Sequence, residues 1–173
     1  MVETMHGTRL LIAPAALALL GALGCGGGDG DTVDASGEYT LAVTNGDNDC
    51  GFQGWDEGAQ TSGVPFSVNQ DDDNHITASI EGLAGGWVML VLGSRTFEGE
   101  VAGSRLDLTL YGTNSVNDAG CTYTVNGNVL ATLNDDALEG TINYVPQTNG
   151  SPDCDQLNDC STVQMFNGTR PPQ

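Results

Sequence analysis

The chain reads as all-β: a small antiparallel up-and-down meander barrel of eight or nine strands, with a two-sheet β-sandwich as the alternative. Three observations predict this. Six separate stretches alternate apolar and polar residues, as antiparallel strands wet on one face do. No stretch after Cys25 keeps a helical period for three turns. The links are short and built from turn residues: DDDN, LAGG, GSRT, AGSR and NDD. A meander of eight strands can close on itself and abolish its edges, which favours the barrel.

The elements follow in order. GEYTLAVT places Tyr39, Leu41 and Val43 on one face, and VPFSVNQ does the same with Val64, Phe66 and Val68. NHITASIE aligns Ile76, Ala78 and Ile80. WVMLVL, Trp87 to Leu92, is apolar on both faces; as a strand it needs cover on both sides, or else it marks an exposed sticky patch. FEGEVAG sets Phe97 and Val101 against Glu98 and Glu100, and RLDLTLYG sets Leu106, Leu108 and Leu110 against Asp107, Thr109 and Tyr111. CTYTVNGNVLATL contains Asn126-Gly127, a hairpin signal. Folding there mixes both faces, whereas one long strand aligns Tyr123, Val125, Val129, Ala131 and Leu133. The long strand is therefore expected, with Gly127 marking a bend or bulge. ALEGTINY aligns Leu138, Ile142 and Tyr144.

Before the domain, Leu10 to Leu23 form an apolar run that follows Arg9 and ends in small residues. It is shorter than the about 20 residues a bilayer span needs, and its layout is that of a secretory signal. Ala22-Leu23-Gly24-Cys25 resembles the lipobox of bacterial lipoproteins: Gly24 and Cys25 match, and Ala22-Leu23 reverse the commonest order. The resemblance implies lipidation of Cys25 and, with Gly26 rather than Asp next, sorting to the outer membrane. The expected organisation is signal peptide 1–24, lipidated cysteine and Gly/Asp-rich tether 25–36, barrel 37–170 and tail 171–173. The signal, the glycine tether and the lysine-free acidic domain resemble lipoproteins of the myxobacterial type.

Lipid on Cys25 leaves Cys50, Cys121, Cys154 and Cys160, an even number in an exported chain. The short loop between them pairs Cys154 with Cys160, and exclusion pairs Cys50 with Cys121. A net charge of −19, with no lysine, repels phosphate backbones and argues against nucleic acid as a partner.

No phosphate loop, dinucleotide fingerprint or zinc motif is present. His75 is the one histidine after the signal and sits beside an aspartate-rich turn. No catalytic constellation emerges, so no enzyme activity is expected. Asn45, Asp47 and Asp49 alternate as oxygen ligands do in calcium loops. The bland reading is a solvated turn, and calcium is the one cofactor candidate.

Gly37-Glu38-Tyr39 at the start and Asn167-Gly168-Thr169-Arg170 at the end resemble the lipocalin and avidin group of meander barrels. That group often opens its first strand with Gly-x-Trp and packs an arginine from beyond the last strand over the tryptophan. Here Tyr39 takes the tryptophan position. The alternative for Arg170 is an ordinary tail residue. Two functions follow as expectations. One is a non-enzymatic, membrane-anchored binding module with a small apolar ligand inside the barrel, lined by Tyr39, Phe66, Trp87, Phe97 and Tyr123. The other is a cell-surface interaction protein with a filled barrel, using the 45–63 loop with Phe52 and Trp55.

Overall fold

A computed structural model describes residues 32–172. The signal peptide, Cys25 and the tether as far as residue 31 lie outside the described residues. The elements run β1 (Gly37–Asn48), β2 (Gln60–Gln70), β3 (His75–Ile80), α1 (Gly82–Leu92), β4 (Thr96–Ala102), β5 (Arg105–Leu110), β6 (Val116–Asp118), β7 (Cys121–Asn134), β8 (Ala137–Thr148), a 3-10 turn (Pro152–Leu157) and β9 (Thr162–Thr169).

Every pairing is antiparallel. Neighbours in sequence pair from β1 to β5, β5 pairs with β7, and β9 returns to β1, so the sheet closes into an up-and-down barrel of eight strands. The short β6 pairs with the first residues of β7 beyond the β5 contact. Closure excludes the sandwich.

Alternation decided which residues fill the barrel. Tyr39, Leu41, Val64, Phe66, Val68, Ile76, Ala78, Phe97, Leu106, Leu108, Leu110, Val129, Leu133, Leu138 and Phe166 are all buried in one cluster. CTYTVNGNVLATL is one strand, as the face argument required, but Gly127 is no bulge: β7 pairs with β8 in unbroken register from Tyr123 to Asn134. Gly127 instead faces inward, where a Cβ would stand in ordinary contact, 3.5–3.6 Å, with Phe97, Ile142 and Tyr144. The register shifts between Asn45 and Asn48 of β1 against β9, and at a bulge on β2. Leu41 pairs with Val64 and Ala42 with Ser62, so Gly63 is the extra residue, at a φ of +74° that only glycine adopts without strain.

WVMLVL is the main correction. It lies in helix α1 with LAGG, and is not a strand. The outer face of the closed barrel is wet, so a strand apolar on both faces would find no second cover there. A helix resolves the conflict by turning Ala84, Trp87, Val88, Val91 and Leu92 toward the barrel mouth, at helical spacing. Gly93 ends it in the left-handed conformation, φ +80°, donating its N–H to the Met89 carbonyl at 2.9 Å.

The disulfides are Cys50–Cys160 and Cys121–Cys154, not the expected Cys50–Cys121 and Cys154–Cys160. Strand register is the physical reason. Asn48 of β1 pairs with Thr162 of β9, so the residues two steps beyond, Cys50 and Cys160, meet across the ladder. Tyr123 pairs with Thr148, which places Cys121 beside the chain leaving β8 and hence beside Cys154 in the 3-10 turn.

The two ends of the barrel differ. At one, the links are tight: Asp71 to Asn74, Gly103-Ser104 and Asp135-Asp136. Val33 to Ser36, which the sequence placed in the tether, pack across this end: the Val33 N–H donates to the Gly103 carbonyl at 3.0 Å, and Ala35 is fully buried. Arg170 plugs it. Its guanidinium sits 5.7 Å from the centroid of the Tyr39 ring and donates to Asp136 Oδ1 at 3.1 Å, to the Asp34 carbonyl at 2.9 Å and to the Ser36 carbonyl at 2.6 Å. The Tyr39 hydroxyl donates to the Ala35 carbonyl at 2.9 Å. At the other end lie the 49–59 loop, α1, β6 and the 3-10 turn, with both disulfides. Tight hairpins make a floor and long links make a mouth.

Candidate functional site

The barrel is not filled. Above the packed floor lies a cavity of about 630 Å³ that opens at the mouth. Leu41, Val64, Phe66, Phe97, Val129 and Phe166 line its depth, because each occupies an inward position of its strand. Helix α1 forms one side of the mouth, and Phe52 and Trp55 of the 49–59 loop form another. Cys50–Cys160 ties that loop to the start of β9.

Four of the five pocket candidates, Phe66, Trp87, Phe97 and Tyr123, line the cavity. Tyr39 does not. It lies one step down β1 from Leu41, under the guanidinium of Arg170, and belongs to the floor. Phe52 and Trp55, expected on an outer contact loop, fold over the mouth instead. The Trp55 Nε1–H donates to the Gly46 carbonyl at 2.9 Å, and its ring meets Tyr144 edge-on at 6.0 Å.

One wall is polar. Tyr144 of β8, Gln164 of β9 and Asn45 of β1 are inward residues on adjacent strands, and all three line the cavity. The Tyr144 hydroxyl donates to Gln164 Oε1 at 2.7 Å, Gln164 Nε2 donates to Asn45 Oδ1 at 2.8 Å, and Asn45 Nδ2 donates to the Asp56 carbonyl at 3.1 Å. Burial takes the Tyr144 phenol out of water and raises it above its ordinary value of 10.0. The alternation of ALEGTINY aligns Tyr144 with the core, and no such expectation covers Gln164. Its phase was the available signal, two residues before Phe166 on the same face.

The calcium candidates separate. Asn45 is engaged inside the barrel, while Asp47 and Asp49 are exposed. Among the described residues, no group of three or more His, Cys, Asp or Glu side chains gathers to hold a metal ion. His75 is exposed at the closed end, and its backbone N–H donates to Asp71 Oδ1 at 2.9 Å.

Outside the cavity, α1 turns apolar side chains to solvent. Leu83 is 96 % exposed and Leu90 74 %, in a helix with no charged residue. Tyr111 and Val116, also exposed, stand at the same end. Among the described residues, no helix is long and apolar enough to cross a membrane.

No protein-family model, curated protein or solved structure matches the chain.

Proposed function

We propose that the chain is a bacterial lipoprotein, held at the outer membrane by lipid on Cys25, whose barrel takes up one small apolar molecule without altering it chemically. The observation that carries the reading is the cavity. Its volume, about 630 Å³, falls within the roughly 300–1,000 Å³ typical of small-molecule sites. Its lining is mostly aromatic and aliphatic, with the Tyr144–Gln164–Asn45 wall and Gln53, Thr61 and Asn114 as the polar groups, the usual composition of such sites. The stacking of Arg170 on Tyr39 adds a fold-level likeness to lipocalins, which supports the architecture and leaves the ligand open. The signal-like run and the cysteine that follows it support the anchor.

Titration with 1-aminoanthracene, a neutral dye that brightens in apolar surroundings, tests the cavity. Saturable binding at one site, weakened at least tenfold by Val129→Phe, is expected, because Val129 lines the cavity and the larger ring fills the space. Binding unchanged in that variant would refute an interior site. Labelled palmitate incorporation that disappears in Cys25→Ala tests the anchor.

A second reading, a surface interaction protein, draws on the exposed leucines of α1. It gains ground where Val129→Phe leaves a cellular phenotype intact and Leu83→Glu removes it.

A further inference from the structure

Resting on that reading, the geometry points to a ligand that carries no charge: an uncharged amphiphile with an apolar body and one hydroxyl or carbonyl oxygen, which docks on the Tyr144–Gln164–Asn45 wall. The first support is the lining. Among the described residues, none that lines the cavity is Asp, Glu, Lys, Arg or His.

The second support is where the cations are. Arg95 lies outside, bonded to Glu81 at 3.0 Å. Arg170 is spent on the floor, with a side chain 8 % exposed. Arg105 begins β5 beside the Gly103-Ser104 turn, at the closed end. No described cation can therefore pair a carboxylate, phosphate or sulfate inside, and burying such an anion unpaired is heavily unfavourable. The net charge of −19 repels it further. A cation is drawn by that field but meets no carboxylate within the cavity. Inside it finds aromatic rings but no counter-charge, and burying an unpaired cation is heavily unfavourable.

The third support is the hydrogen-bonding capacity of the wall. Tyr144 commits its one proton to Gln164, so its oxygen presents lone pairs. Gln164 Nε2 and Asn45 Nδ2 each use one proton, to Asn45 Oδ1 and to the Asp56 carbonyl, and each amide keeps a second. The wall offers two N–H donors and one acceptor. A hydroxyl satisfies both kinds, and a carbonyl or ester satisfies the donors.

The test uses four probes with one shared alkyl chain: decanol, methyl decanoate, sodium decanoate and decyltrimethylammonium. The two tryptophans of the chain, Trp55 and Trp87, both line the cavity, so intrinsic fluorescence reports occupancy. At pH 8, decanol and the ester are expected to bind at least about tenfold more tightly than either charged probe, a modest expression of the burial penalty. Gln164→Leu is expected to weaken decanol severalfold, while an unchanged far-ultraviolet circular dichroism spectrum reports that the variant is folded. Decanoate or the ammonium binding as tightly as decanol would overturn the inference while leaving the cavity reading intact. An unchanged decanol affinity in Gln164→Leu would overturn the role of the wall. Failure of all four probes, together with failure of the dye, would instead sink the cavity reading itself.

Discussion

Replacing Arg170 with methionine keeps most of the apolar stem and removes the guanidinium. Three hydrogen bonds go with it, to Asp136 Oδ1 at 3.1 Å, the Asp34 carbonyl at 2.9 Å and the Ser36 carbonyl at 2.6 Å, together with the stacking on Tyr39. A typical intramolecular hydrogen bond contributes about 1 kcal/mol net. Because Asp136 is 34 % exposed and regains water when its partner leaves, its pair is counted no higher than that. The cation–π contact adds about 0.5–1 kcal/mol. The sum is about 3–4 kcal/mol, a large share of the roughly 5–15 kcal/mol that holds a domain folded. For a domain of this size, that corresponds to a fall in Tm of about 10–15 °C. Thermal unfolding followed by far-ultraviolet circular dichroism, with disulfides intact, measures it. Arg170→Lys should fall in between, because one ammonium cannot fork to three oxygens while lying flat on a ring. A loss below about 1 kcal/mol for Arg170→Met would show that the floor is held by the hairpins alone, and the plug reasoning would be wrong.

Other outcomes follow from the same geometry. Cys50–Cys160 closes a loop of 110 residues and Cys121–Cys154 one of 33. Loop entropy then assigns about 4.8 and about 3.7 kcal/mol, so urea unfolding should find Cys50→Ala/Cys160→Ala the less stable of the two double variants, and the reverse order would contradict it. Burial raises the Tyr144 phenol, so its contribution is fully present below pH 10 and fades above it, as the unfolded chain ionises while the native one resists. Tyr144→Phe should therefore flatten the alkaline loss of stability in a pH series of melts. Asp34 is held below the ordinary carboxylate value by the Ser36 N–H, then by the Ser36 hydroxyl, so stability present near neutrality is lost as pH falls through the acid range. Asp34→Asn should remove only a small part of that slope. Leu83→Glu and Leu90→Glu, at exposed positions, should leave the melting temperature nearly unchanged and reduce self-association measured by light scattering.

How much of this could be read in the sequence depended on the surroundings of each segment. Where a strand is wet on one face, period-two alternation records the structure directly, and Leu106, Leu108 and Leu110 were assigned to the core from that alone. Trp87 to Leu92 lack a polar face, so strand and helix leave the same trace over so short a run. The deciding cue was Gly93 just past the run, a helix-stop signal, and it was read as part of a turn. Disulfide pairing followed register, which sequence spacing cannot supply: Cys154 and Cys160 are neighbours in the chain but face different strands. The polar wall was half visible. Asn45 was singled out for its oxygen, but its partner Gln164 is 119 positions away and no local pattern connects them.

The floor has a consequence for how the molecule stands. Thr32 and Pro172, the ends of the described chain, both leave from the closed pole, since Arg170 is bonded to the Asp34 carbonyl. A strand of 12 residues such as β1 rises about 3.3 Å per residue along a tilted path, so the mouth sits roughly 25–30 Å away. A segment that continues from Thr32 is thus attached at the pole opposite the mouth. The same adjacency makes the two ends easy to splice, and a circular permutant joined across the floor would keep its opening untouched.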